Sequence, residues 1–486
     1  MLQLKKIVHA VYGPVIEEFP LFAITFLLAI LDVLRVIHGG IINHYDITVW
    51  GLTFCHLGFP ALFSFAFAQL AYHFRYKIVR ILCYGCPIIL FTINIFSRIN
   101  FGGPLTPQYI MAIGETNSQE ATEFLSTFLL CPHGLIVVLI VMATIATCYL
   151  AEKYKRQIVS MAERTHARLV ICAVSTVLFA FGCAHTPSTY HLYQIKSMIQ
   201  MEEWGGKYLR GMARAMSQDL YSNFMYSTYM PTVAGKQMRE SINISLSDNS
   251  CKTEANDSLN IVLVIGESYI KAHSPLYGYY LNTTPIMKEE RQKGDLFVFN
   301  NINTPYNTTS PTLRNFFSCN CMGLEEDWGD NVFMPILFKR SGYDVYFWDN
   351  QNIQQANTWD FTLNSYLHND KLASASYTAE NAQPYQYDGD LINDFFEKRY
   401  SLNKNTLSII HLWGQHVNAE LRYPHTAKFN HFTADSVKVK HQWLTKEMRK
   451  KIAHYDNATY YNDACMGKIL NHYRNANAVI VYLSDH

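Results

Sequence analysis

The sequence predicts a membrane part of five helices followed by an α/β domain on a largely parallel sheet, and three observations predict it. Long apolar runs fall almost entirely within the first ~190 residues. From Asn260 onward, short apolar runs alternate with helical patterns. Each of those runs is followed by polar side chains able to hold a ligand. A chain of 486 residues accommodates roughly two to four domain-sized units. Its net charge of +1 offers no electrostatic footprint for a phosphate backbone, so no nucleic-acid partner is expected.

Five stretches have the length and apolarity that a membrane-crossing helix needs: residues 19–37, 49–72, 78–96, 124–150 and 169–185. Basic residues orient them. Lys5 and Lys6 precede the first run, Arg75, Lys77 and Arg80 join the second to the third, and Lys153, Lys155, Arg156, Arg164 and Arg168 join the fourth to the fifth. By the positive-inside rule these segments are cytoplasmic, and an odd number of crossings places everything after about residue 188 on the outer side. With no cleavable signal pattern, the first run reads as a signal anchor. Seven of the eleven cysteines sit in or beside the runs, where a small polarizable side chain serves packing. Cys251, Cys319, Cys321 and Cys465 would lie in an oxidising compartment, where disulfides form, although sequence does not give the pairing.

Residues 189–240 read as helix, with Met198, Trp204, Tyr208, Met212, Met216, Tyr221 and Phe224 interleaved with charge: an amphipathic bridge, or packing against the domain that follows. Ser241 to Ser258, rich in Ser, Asn and Asp, reads as a linker. The expected division is therefore 1–188 membrane domain, 189–258 bridge and linker, 259–486 catalytic domain.

Five strands are expected in that last part: 261–265, 296–299, 343–348, 407–412 and 479–483. Near-continuous apolar strands are those buried on both faces of a parallel sheet. In open α/β sheets the ligand site lies beyond the carboxyl ends of the strands. Behind the first run come Gly266, Glu267 and Ser268; the second leads to Asn307, Thr308 and Thr309; the third to Asp349, Asn350 and Gln351; the fourth to Gly414, Gln415 and His416; the fifth to Asp485 and His486. Glu267, Asp485 and His486 offer two carboxylates and an imidazole, a mixed oxygen and nitrogen set suited to zinc with a position left for a nucleophile or substrate. Any one of them alone would read more simply as a helix cap or a solvated charge.

The segment GESYIKAHSPLYGYYLNTTP, Gly266 to Pro285, resembles the GESxxRxHxSLYGYxRxTTP signature of the bacterial membrane phosphoethanolamine transferases, sulfatase-like enzymes of the alkaline phosphatase superfamily. Leu412 to His416 is similar to that family's HxxGSH, Tyr455 to Asp463 to its YDNxxxYxD, and Tyr482 to His486 to its YxSDHGE. Five spans ahead of an outer α/β domain are also the family layout. The resemblance implies a zinc enzyme of the bacterial inner membrane, multi-pass, with a periplasmic sulfatase-like domain. It implies transfer of phosphoethanolamine from phosphatidylethanolamine to lipid A or a surface glycan through a phosphothreonine.

Matched residue by residue, Thr304 to Leu313 resembles the family's nucleophile loop and puts the nucleophile, also a metal ligand, at Thr309, with Thr308 as its neighbour and alternative. The metal set is then Glu267, Thr309, Asp485 and His486. His416 would steady or protonate the phosphoryl group. Asn350 and Gln351 would bind the donor headgroup or cap the strand end. Thr116 and Glu120, in a stretch resembling the family's TNxxE, would guide the lipid or start a helix. Lys271 stands where the family has arginine, keeping charge but losing bidentate phosphate geometry, and Gln415 replaces a serine. A sulfatase would need Cys or Ser in CxPxR, and Arg314 falls one position late for it. A phosphoglycerol transferase would share the threonine chemistry but lacks the LYGYxxxTTP run. Family members continue beyond the SDH motif, so a C-terminally incomplete domain, or a membrane-anchored remnant without activity, is the remaining expectation.

Overall fold

The computed structural model describes residues 12–43, 57–116, 118–164, 170–171, 173–178, 219–248, 258–304, 306–320, 327–351, 359–398, 402, 404–439 and 443–486. The chain divides into two compact units: residues 1–112 with 124–232, and residues 113–123 with 233–486.

The first unit is helical. Its long helices are α1 (Phe19–Asn43), α2 (Gly58–His73), α3 (Lys77–Phe101) and α4 (Pro132–Lys153). Among the described residues two of them, α3 and α4, are long and apolar enough to cross a membrane. Five spans were expected; the fifth run lies largely outside the described residues, as does the start of the second. The fourth span starts at Pro132, later than expected, because Cys131 caps the helix by accepting from the Gly134 amide and Pro132 occupies a first-turn position that needs no amide donor. Leu135, Leu139 and Met142 are more than half exposed on α4, the pattern of a helix that is apolar all round. Two buried carboxylates in this unit are paired: Asp32 with Arg98 at 2.5 Å and with the Asn94 amide at 2.8 Å, Glu18 with Arg80 at 2.7 Å and with Lys155 at 2.5 Å.

Helix α5 (Leu220–Ser247) carries Pro231 inside it, and the division between units falls just after that proline. The helix runs through residues 241–247, so the expected linker is shorter than its composition indicated; residues 249–257 and the earlier bridge, 189–218, lie outside the described residues. Burial overrides the polar composition here. Ser241 Oγ lies 2.7 Å from Tyr366 Oη, Ser245 Oγ accepts from the Phe333 amide at 2.8 Å, and Met238 and Ile242 enter a core.

The second unit is built on strands β1 (Asn260–Gly266), β2 (Asp344–Asp349), β3 (Ala379–Glu380), β4 (Thr406–His411) and β5 (Ala478–Ser484), with α6 (Thr309–Phe317), α7 (Asp388–Glu397) and α8 (Lys446–Tyr473) among its helices. All pairings are parallel, in the order β3-β2-β4-β1-β5. Side chains alternate between faces as a pleated strand requires. Leu263, Ile265, Val345, Phe347, Leu407 and Ile409 pack with Met238, Phe317 and Phe333 on one face. Val262, Val264, Tyr346, Trp348 and Ile410 pack with Leu391, Phe395, Met466 and Ile469 on the other.

Four of the five expected strands form. The run 296–299 does not: Leu296 and Val298 pack against a core, but Phe297 is 84% and Phe299 71% exposed, and among the described residues no strand pairs with the segment. The two-residue β3 is the fifth strand, too short to leave a sequence pattern.

Candidate metal centre

Parallel pairing creates the cluster. β1 and β5 run in register to Gly266 opposite Ser484, so the next residue of each strand, Glu267 and Asp485, emerges beside the other. His486 follows. The ligand atoms of Glu267, Asp485 and His486 lie within 4.8 Å of one another. His486 Nε2 is 3.1 Å from Glu267 Oε1 and 3.5 Å from Asp485 Oδ2. Ser268 adopts a left-handed conformation (φ 54°), strained for a residue with a side chain. The strain places its amide 3.0 Å from Asp485 Oδ1 and its hydroxyl 2.8 Å from Glu267 Oε1, so one residue braces both carboxylates.

Thr309 opens α6, and its hydroxyl donates to Glu267 Oε2 at 3.1 Å. Thr308, the residue before it, has a buried hydroxyl with no hydrogen-bond partner. Of the two threonines, therefore, Thr309 is the one aimed at the carboxylate.

The electrostatics are those of a site short of positive charge. Burial raises the pKa of Glu267, but the hydrogen bond from His486 and the nearby His416 outweigh it and hold the carboxyl well below the usual range. Burial and the Glu267 charge push Asp485 up to about 7. Asp485 Oδ2 is buried without a hydrogen-bond partner. A buried carboxylate oxygen left without a donor, beside a second carboxylate and an imidazole, fits a zinc ion: hard oxygen donors, a borderline nitrogen and the Thr309 hydroxyl make a set of four.

A second ring of residues holds these. Gln351 donates its amide to Glu267 Oε2 at 3.2 Å and to Leu412 O at 2.7 Å, with His411 Nε2 3.2 Å away. Asn350 is fully buried, donating to Asp388 Oδ1 at 3.0 Å and accepting from the Tyr385 amide at 2.7 Å, so its side chain is engaged within the fold. Asp388 in turn accepts from the Trp413 and Gly414 amides. Gly414 has positive φ (51°), and a Cβ there would fall 2.6 Å from the Glu267 backbone; only glycine lets this loop pass. The loop delivers His416, which is half-buried, its Nδ1 enclosed and lacking a hydrogen-bond partner. Burial, reinforced by Arg422, lowers its pKa, although Glu267 and Glu123 oppose the shift.

Lys271 is exposed on the 3-10 turn Lys271–His273. Thr116 is exposed; Glu120 belongs to the helix Ser118–Phe124, but its side chain lies outside the described residues, as does Asn117. Neither of them is brought to the cluster by a described contact. Cys319 and Cys465 are free thiols among the described residues, and Cys251 and Cys321 lie outside them.

The long signature after β1 is scaffold held by one face of α8. Tyr455 Oη donates to Ser268 O at 2.6 Å and accepts from the Ile270 amide at 2.8 Å. Asp456 accepts from Tyr279 Oη at 2.9 Å and lies 2.7 Å from His273 Nδ1; Asp463 caps the helix Pro285–Lys293 through the Ile286 and Met287 amides. Sequence reasoning gave no role to Ser268, Asp388 or His411. Their signal, a polar residue following or entering a strand end, was present but common.

Residues 259–486 match the family Sulfatase. The chain is 25% identical over 399 residues to the phosphoethanolamine transferase EptC of Escherichia coli, covering 79% of this chain and 64% of that protein, so it spans less than two thirds of that relative's length. It is 32% identical over 233 residues to the phosphoethanolamine transferase EptA of Helicobacter pylori, covering 46% of this chain and 41% of that one. Among solved structures, the integral membrane protein lipooligosaccharide phosphoethanolamine transferase A of Neisseria meningitidis superposes with a TM-score of 0.53 at 17% identity, over 97% of this chain and 82% of that one, which shows a shared fold. The C-terminal periplasmic domain of E. coli EptC, solved in complex with Zn, is 26% identical over 48% of this chain and 66% of that one, with a TM-score of 0.42.

Proposed function

We propose, for a chain whose residues 259–486 match the sulfatase family and which is similar to the phosphoethanolamine transferases, that it transfers phosphoethanolamine from phosphatidylethanolamine to a cell-envelope acceptor such as lipid A or a surface glycan. One observation carries the reading: a threonine hydroxyl 3.1 Å from a buried carboxylate that shares a 4.8 Å cluster with a second carboxylate and an imidazole.

Glu267, Thr309, Asp485 and His486 would hold zinc, which supplies the Lewis acidity that lowers the pKa of a threonine hydroxyl and offsets negative charge on a phosphoryl group. Thr309 Oγ1 attacks phosphorus, the bond to the diacylglycerol oxygen breaks, and diacylglycerol leaves with a proton. An acceptor hydroxyl or phosphate oxygen then attacks the phosphothreonine and Thr309 Oγ1 departs. His416, half-buried and with its pKa lowered, is neutral near pH 7 and suited to exchanging a proton with the entering or leaving oxygen. Gln351 keeps Glu267 in place; Lys271 supplies positive charge for the phosphodiester. Thr116 and Glu120 guide the lipid headgroup. The layout is a five-span, inner-membrane anchor with the catalytic domain in the periplasm.

The test is the full chain in vesicles containing phosphatidylethanolamine, with mass spectrometry of the Thr309 peptide. A phosphoethanolamine increment is expected, and Thr309→Ala is expected to abolish it. A phosphoglycerol increment instead, or labelling that persists in the variant, sinks the assignment.

A further inference from the structure

Residues Ile113–Glu123 are far upstream of the catalytic domain in sequence, yet they form one compact unit with residues 233–486. Two of their carboxylates end on buried arginines. Glu115 Oε2 accepts from Ser310 Oγ at 2.5 Å; Glu115 Oε1 accepts from the Leu363 amide at 2.8 Å and lies 3.5 Å from Arg314 Nη2. Ser310 and Arg314 are one turn apart on α6, the helix that Thr309 opens. Glu123 pairs with Arg422 Nη2; that guanidinium also donates to Val417 O at 3.2 Å and stacks 4.3 Å over Trp413, whose ring contacts His416 edge-on at 5.5 Å. Arg314 and Arg422 are each 3% exposed.

We propose that Ile113–Glu123 is a two-point carboxylate clasp, and that Glu115 and Glu123 are positioning residues of the transfer reaction described above, on which this proposal rests. Side chains at i and i+4 share one face of a helix, so a single carboxylate holding Ser310 and Arg314 fixes the rotation of α6 about its axis. That rotation sets where Thr309 Oγ1 points. At the other end, Glu123 fixes Arg422, and through Trp413 the ring of His416. One short segment thereby registers the nucleophile against the proton-exchanging histidine, two groups carried by elements that make no backbone pairing with each other. Misplacement of reacting groups by ~1 Å can cost on the order of 100-fold in rate, whereas three of the four residues that would hold zinc, Glu267, Asp485 and His486, stand on strand ends the clasp does not touch.

The test uses the full chain in phosphatidylethanolamine vesicles and follows the rate of phosphothreonine formation against donor concentration, with zinc content and thermal midpoint measured alongside. Ser310→Ala, the mildest change, removes one hydrogen bond and is expected to lower kcat by about tenfold; Glu115→Gln and Glu123→Gln by about 10- to 100-fold, with KM and zinc content within about twofold of the parent. Rates within twofold of the parent in all three variants overturn the clasp alone. Losses that parallel zinc loss or unfolding also overturn it, leaving the segment a structural role. A parent chain that forms no phosphothreonine overturns the clasp together with the transferase reading.

Discussion

At the β1/β5 end of the sheet's carboxyl edge, the ion pairs of Glu267 and Asp485 among the described residues run to one imidazole, His486. At the β2/β3/β4 end, Asp349 and Glu380 face two, His368 and His411. Asp349 Oδ1 lies 3.0 Å from His411 Nδ1, Asp349 Oδ2 3.9 Å from His368 Nε2, and Glu380 Oε1 2.7 Å from His368 Nδ1. Each cluster is built round a fully buried aspartate, Asp485 or Asp349, and both use the same residue types. Their charge balance separates them. In the second, burial raises the Asp349 pKa but the two imidazoles overcome it and hold the carboxyl below its usual range, while the carboxylates overcome burial and push His368 up to about 9. In the first, burial and the neighbouring Glu267 charge push one carboxyl up to about 7. A buried acid group neutralised by its own histidines is structure; one histidine short, it calls for a cation.

The largest expected effect breaks the first cluster. Glu267→Gln removes half of its negative charge, and zinc content of the purified full chain is expected to fall by at least about tenfold, with phosphothreonine formation lost. Retained zinc would erase the distinction between the two ends. Asp349→Asn is the counterpart: it strands two imidazoles and is expected to cost about 3–5 kcal/mol by chemical denaturation, while the folded fraction keeps its zinc. Zinc loss in that variant would make the second cluster part of the metal site.

Third in size is a pH effect. His368 has a folded-state pKa of about 9 against 6.5 in the unfolded chain. A raised pKa means that the folded state binds the proton more tightly, so this stabilisation is complete below pH 6.5 and lost as pH rises toward 9. The shift corresponds to about 3 kcal/mol, and His368→Gln should flatten the decline of the unfolding midpoint across that window. An unaltered slope would show that another group titrates there. Smallest is Thr308→Ala. Removing a buried hydroxyl that has no hydrogen-bond partner should change stability by less than about 0.5 kcal/mol and the phosphothreonine rate by less than about twofold; a large loss of rate would make Thr308 the nucleophile.

The metal end was the more legible of the two in the sequence. Continuous apolar runs disclosed β1, β2, β4 and β5, and reading the residue after each run found Glu267, Asp485 and His486 without any contact being known. Thr309 needed the family resemblance, because a threonine in a loop carries no spacing signal of its own. The run 296–299 misled because an apolar tetrapeptide has the composition of a strand whether or not a partner strand is there to pair with it. The conformation of Ser268 and the engagement of Asn350 with Asp388 depend on tertiary packing. So does the Glu115–Ser310 bond, which joins residues 195 positions apart. No local pattern encodes such a distance.

Glu267 and His486 are 219 residues apart, yet they follow neighbouring strands, β1 and β5, with β5 at the outer end of the order. Parallel neighbours so distant in sequence must close a long loop before their contacts repay its entropy, which makes this pairing a slow and late folding event. Until β5 docks, the acids of β1 and β5 are too far apart to share an ion, so metal capture by them would report the pairing of β5 with β1. Binding of zinc would then hold β5 in place, linking the order of assembly to the appearance of chemistry.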